Sequence, residues 1–233
     1  MPSLLLSKME NGKSISKRIE SVLGCGRQLI LLQLLLLSAL SGAEEVATWS
    51  WKDTPPADIK VGDIVFRKGA GIWTKYFINV SSREKRFSHV GVVVSNMPTT
   101  VILHADANDM TGHGCVRLEI WKGFFRNASE CAVYRYDGDP SHPLLFVEKG
   151  MQKLGVPFDW TFNMSNTNSL YCTELVREII NAVTCTNFVG CTEVCGRRIV
   201  AIDDIYRDGF TKIFDSRELL SESSEKRCVT TFY

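Results

Sequence analysis

Two hydrophobic rhythms run along the chain, and one gives way to the other near residue 140. Before that point, short β-branched runs are separated by turn residues. Val61-Gly-Asp-Ile-Val-Phe66 reads as a turn leading into a strand, and Ser88-His-Val-Gly-Val-Val-Val94 is the clearest strand of all. Asn96-Met-Pro-Thr-Thr100 supplies a turn, and Val101-Ile-Leu-His104 begins the next strand beside it. Two more strands are expected at Val116 to Ile120 and at Ala132 to Tyr136, and a short helix around Trp73 to Ile78 within an otherwise loop-like stretch. Beyond Asp137-Gly-Asp-Pro140 the spacing becomes helical, with Leu144, Leu145, Val147, Met151 and Leu154 forming one apolar stripe. Gly155-Val-Pro-Phe-Asp159 breaks that helix. Tyr171 to Val183 is the strongest helical pattern, with Leu175, Ile179, Ala182 and Val183 on one face and Ser169 expected as its N-cap. Strands first and helices afterwards predict an α+β domain built on an antiparallel sheet.

The N-terminus follows neither rhythm. Lys8, Lys13, Lys17, Arg18 and Arg27 precede the nearly pure apolar run Leu29 to Leu40, and the small residues Ser41 and Ala43 follow it. These are the three parts of a secretory signal. The run falls short of the ~20 residues that span a bilayer comfortably. Residues 1–43 are therefore expected to be a signal peptide or N-terminal anchor, 44–57 a linker, 58–215 the folded domain and 216–233 a C-terminal tail. A start at Met9, a lipoprotein-like box at Val22-Leu-Gly-Cys25 and a buried core helix are the other readings of the segment. Export implies a periplasmic or cell-envelope location, with membrane proximity through the N-terminus.

Composition narrows the function classes. Hydrophobic residues at 45% and charged residues at 23% suit a globular domain and argue against disorder. The 27 basic and 26 acidic residues leave a net charge of +1, so there is no electrostatic footprint for nucleic acid. Among the eight cysteines, Cys185, Cys191 and Cys195 form a close cluster without zinc-ligand spacing and without a nearby histidine. Disulfide pairing or burial is the expectation there, and no metal or cofactor is implied. The pattern specifies no oligomeric state.

Cys172 falls in the first turn of the strongest helix. Free backbone N–H groups and the helix dipole favour an anion at that position, so a thiolate is expected to be stabilised. A structural cysteine fits the same place, and what distinguishes the two is a partner base. His142 lies in a turn and is expected to be solvated, and His113 lies between two glycines in a loop. His89 opens the clearest strand and His104 lies on its neighbour, where one can orient the other. Cys172, His89 and His104 thus form a nucleophile, base and orienter set suited to acyl transfer.

Taken in order, Val61 to Phe66, Ser88 to Val94, Val101 to Ala105 and Leu170-Tyr-Cys-Thr-Glu-Leu-Val176 resemble the permuted branch of the NlpC-type papain-like superfamily, and within it the YiiX/YebB-like hydrolases. The resemblance covers about residues 58 to 183. It implies a circularly permuted papain-like domain, with the antiparallel sheet first and the catalytic-cysteine helix after it. It implies Cys172 as nucleophile, His89 as base and His104 in the orienting position, with Asp106 as the second choice for that role. Tyr171 and Asp159 are candidate substrate or oxyanion contacts, alongside the backbone N–H of Cys172. The expected activity is hydrolysis or acyl transfer at an amide or ester bond of a cell-wall peptide or a lipid. The permuted branch also resembles lecithin retinol acyltransferase, which keeps lipid substrates in view. A non-catalytic module that binds a cell-envelope ligand is the competing class.

Overall fold

The computed structural model describes residues 49–219 except 72, 109, 140, 207 and 208. The expected signal or anchor, residues 1–43, lies outside the described residues, as does the end of the expected tail. Among the described residues no helix is long and apolar enough to cross a membrane.

Six strands form one antiparallel sheet: β1 (Ile64–Lys68), β2 (His89–Ser95), β3 (Val101–Ala107), β4 (Gly114–Ile120), β5 (Glu130–Tyr136) and β8 (Phe210–Asp215). Their spatial order is β4-β3-β2-β1-β5-β8, so β1 and β2 are central. Helices α1 (Thr74–Val80), α2 (Trp121–Phe124), α3 (His142–Met151) and α4 (Cys172–Thr184) accompany it, with a small hairpin of β6 (Thr192–Val194) and β7 (Arg197–Ile199) after α4.

The apolar runs of β1 and β2 are nearly continuous because both faces of the sheet are covered. Ile64, Phe66, Val90, Val92 and Leu103 share one core with Leu175, Val176 and Ile179 of α4. Val65, Val93, Ile102 and Val133 share the other with Trp121, Phe124 and Phe125, on and just after α2. Alternation along a strand sends successive side chains to opposite faces, and each buried aliphatic side chain stabilises by about 1.5–3 kcal/mol. The expected linker segment lies against this second core, with the Trp51 ring 5.7 Å from Phe125 and the Trp51 carbonyl accepting from Trp121 Nε1 at 2.7 Å.

Several expectations change. Helix α3 starts at His142 rather than Leu144, so His142 is half-buried and stacks on Tyr136 at 5.2 Å instead of standing in a solvated turn. The N-cap of α4 is Tyr171, in extended conformation, while the Ser169 hydroxyl accepts from Asn166 Nδ2 at 2.6 Å. Strand β8 has no strong pattern of its own and completes the sheet by pairing with β5. Cys185, Cys191 and Cys195 are free thiols that are neither paired nor fully buried. Cys185 instead ends α4 in the left-handed conformation, and Cys195 takes a positive φ in the β6–β7 turn.

Candidate active site

The C-terminal ends of β1 and β3 and the start of β2 meet at one end of the sheet, and the cavity there takes residues from both of its faces. Arg67, His89 and Asp106 contribute from the strands, Cys172 from the first turn of α4, and Trp73, Phe77, Phe158 and Trp160 from α1 and the loops. The cavity measures about 430 Å³, within the range of small-molecule sites.

His89 and His104 are joined directly. His89 Nε2 lies 2.9 Å from His104 Nδ1, with the rings edge to face. Both rings pack on Phe124, at 5.5 and 5.1 Å between centroids. Gly91, two residues along β2, keeps this face open. A Cβ there would come within 2.6 Å of Ile102 Cγ2 and 3.2 Å of His104 Cβ. The far nitrogen of His104, Nε2, is 3.2 Å from Glu119 Oε2, at ion-pair distance although without hydrogen-bond alignment.

A carboxylate in that position favours the proton on His104 Nε2. His104 Nδ1 is then an acceptor, His89 Nε2 donates to it, and His89 Nδ1 carries a free lone pair. An imidazole held in this tautomer can take a proton at Nδ1.

Burial sets the resting protonation. It holds His89 well below the ordinary imidazole range, helped by the positive charge of Arg67. His104 is also lowered by burial, with Glu119 opposing the shift. The Cys172 thiol is 1% exposed and burial pushes it up to about 12, against the opposing influence of backbone groups of Val90 and Thr173 and of Arg67. The stabilised thiolate expected at the helix N-terminus is overridden by desolvation. At neutral pH the cavity therefore holds a protonated Cys172 thiol and a neutral His89 imidazole.

The remaining candidates fall in different places. Asp106 lines the cavity but is held by Arg117 at 2.8 Å, and it is His104 that contacts His89. Tyr171 is fully buried, and its hydroxyl accepts the backbone N–H of Val200 at 2.9 Å. Asp159 folds its own loop, accepting from Thr161 N, Thr161 Oγ1 and Asn163 N. Neither Tyr171 nor Asp159 lines the cavity.

Two residues of the site had no signal in the motifs. Glu119 lies two residues past Arg117, the Cα partner of His104 across β3–β4, and only the register reveals it. Arg67 is the Cα partner of His89 across β1–β2. It packs over the Phe124 ring at 4.7 Å and donates to the Phe124 carbonyl.

A family model described as permuted papain-like amidase enzyme, YaeF/YiiX, C92 family, matches residues 58–206. The chain belongs to this permuted papain-like amidase family. Family membership carries the permuted fold and a hydrolase-type function. Among solved structures, the metalloprotein YiiX from Escherichia coli O157:H7 is similar at a TM-score of 0.57 and 14% identity, over 67% of this chain and 97% of that one. At that identity the likeness speaks for the fold alone. Among curated proteins none matches. In this chain the strand bearing His89 precedes the helix bearing Cys172, which is the order the permutation requires.

His89, His104 and Asp106 are the one set among the described residues whose donor atoms lie close enough to share a metal ion, all within 4.8 Å. The set fits a cation poorly. The facing nitrogens of the two histidines already bond each other, and Asp106 lies between the guanidiniums of Arg117 and Arg67, at 2.8 and 3.8 Å.

Proposed function

We propose that this amidase is a cysteine hydrolase in which Cys172 attacks, His89 is the general base and acid, and His104 with Glu119 positions His89. The observation that carries the reading is one cavity lined by both Cys172 and His89, with His89 bonded to His104. His89 Nδ1 takes the thiol proton as sulfur bonds to the carbonyl carbon of an amide or ester. The C=O electron pair moves onto oxygen, which the backbone N–H of Cys172 at the helix N-terminus would stabilise. Collapse of this intermediate breaks the bond to the amine or alcohol, which leaves with the proton from His89. Water, deprotonated by the same imidazole, then releases the acid and restores the thiol.

The neutral resting state suits this sequence, because a base must be unprotonated before it can act. The aromatic wall of Trp73, Phe77, Phe158 and Trp160 gives an acyl or peptide substrate an apolar surface. A cell-envelope location for that substrate rests on the signal-like N-terminus. YiiX is described as a metalloprotein, but the poor fit of the histidine pair to a cation leaves every step here to the protein's own groups.

The test is acylation by a p-nitrophenyl ester, read by intact-protein mass spectrometry. The expected result is a burst of p-nitrophenol and one acyl group on Cys172, both lost in Cys172→Ala and His89→Ala. Turnover by wild type no faster than by Cys172→Ala would remove the enzyme reading and leave a ligand-binding module.

A further inference from the structure

We propose that the cavity selects substrates carrying a carboxylate close to the scissile carbonyl, and that Arg67 holds that carboxylate. The proposal rests on the amidase reading for the identity of the nucleophile, and it adds the substrate class.

Arg67 lines the cavity beside His89, its cross-strand partner on the same face of the sheet. Its guanidinium is fixed by the Phe124 ring and carbonyl. Asp106, the acidic residue of the lining, is 3.8 Å from Arg67 but hydrogen-bonded to Arg117 at 2.8 Å, so its charge is shared between two guanidiniums. His89 contributes no positive charge in its resting form.

What is left over is donors. Arg67 Nε and Trp73 Nε1 are both buried without a hydrogen-bond partner, and both residues line the cavity. A buried donor without an acceptor costs about 1–3 kcal/mol. Native folds keep such groups where something else completes them. A carboxylate offers several acceptor sites and a negative charge, and its hydrogen bond to a guanidinium is charge-assisted. A bare hydrocarbon chain would cover the aromatic wall and satisfy neither donor. Arg67 would thus bind the substrate's anionic group while the aromatic residues pack its apolar part. An acidic peptide or an acyl amino acid fits this chemistry, and a neutral lipid ester does not.

Iodoacetate and iodoacetamide test this directly, since they differ in a carboxylate against a neutral amide of nearly the same size. The readout is the ratio of their alkylation rates at Cys172, in the folded protein and in the same protein unfolded in urea. The expected folded-state ratio exceeds the unfolded one by roughly 10-fold, and Arg67→Gln returns it toward the unfolded value. Equal slowing of both reagents by Arg67→Gln would assign Arg67 to the thiol alone and overturn the proposal, as would a wild-type ratio no higher than in urea. A second measurement needs neither a reactive thiol nor a variant. Glutarate is expected to raise Tm in wild type where glutaramide does not, and equal effects of the two would also overturn the proposal. Failure of the amidase reading would look different, as absence of acyl-enzyme on Cys172 whatever the reagent ratio.

Discussion

His89 Nε2 and His104 Nδ1 face each other across β2 and β3 at 2.9 Å, and Glu119 stands 3.2 Å behind His104. In the proposed mechanism the three groups form a relay, in which Glu119 favours the proton on His104 Nε2 and so leaves Nδ1 of His89 as its free nitrogen.

Glu119→Gln tests the relay. A glutamine amide can accept or donate, so the proton is no longer held on His104 Nε2 and His89 can switch tautomer. The expected outcome is a loss of about 10-fold or more in kcat with little change in KM. Glu119→Asp should recover part of it. Ester hydrolysis kinetics, with circular dichroism to confirm folding, check this.

The pH profile follows from burial. His89 is held well below the usual imidazole range, so activity should persist below pH 6.5 before the base protonates. The Cys172 thiol lies up at about 12, so iodoacetamide labelling should show no plateau between pH 5 and 7 and should climb on the alkaline side. A labelling plateau below pH 7 would instead indicate a thiolate–imidazolium pair, contrary to this environment.

Glu174, on the turn that carries Cys172, is a pH-dependent weak point of the fold. Its Oε2 is buried without a hydrogen-bond partner, and burial, with Glu178 and Asp159 nearby, pushes the carboxyl up from 4.5 to about 8. The folded state then binds a proton that the unfolded state has lost between those values, so stability falls as pH rises from 4.5 to 8. Glu174→Gln should remove that fall, a gain on the order of 4 kcal/mol at pH 8 over wild type. Urea unfolding of both proteins at pH 5 and pH 8 measures it.

Arg86 ties the lead-in to β2 to strands β5 and β8. It is 4% exposed, donates to both oxygens of Asp215 and bonds Glu130 Oε2 at 2.7 Å. The carboxyl of Glu130 is held down to about 2 against its burial by hydrogen bonds from Arg217, Arg86 and Lys68. Arg86→Ala leaves the buried Asp215 carboxylate without its two-pronged partner, while Glu130 keeps Arg217 and Lys68, and should cost about 3–5 kcal/mol. The denaturation midpoint reads this loss, and a shift under 1 kcal/mol would contradict it.

The strands around Val61, Ser88 and Val101 and the helix at Cys172 were legible in the sequence because each has its own period and its own punctuation. The histidine pair was legible for a similar reason, since a short turn between two strands brings His89 and His104 together by local geometry. Helix α3 was misplaced by two residues at its start because His142 and Pro143 carry turn chemistry that the Tyr136 ring and the packing of the helix override.

Other features came from contacts between distant segments. Strand β8 exists because β5 has a free edge, and nothing in Phe210–Asp215 alone demands it. Glu119 and Arg67 enter the site through strand register, which depends on how β3 meets β4 and β1 meets β2. Tyr171 and Asp159 sit beside Cys172 or in the loop that leads to it in sequence, yet Val200 and the 161–163 turn take their polar atoms. The charge state of Cys172 shows the division most clearly. Position in the first turn of a helix is local and favours a thiolate, whereas the burial that keeps the thiol protonated is produced only when α4 closes against the sheet. The sequence by itself determined which groups could react, through local periodicity and turns. The tertiary structure decided their protonation and their neighbours, because desolvation and charge act through space and not along the chain.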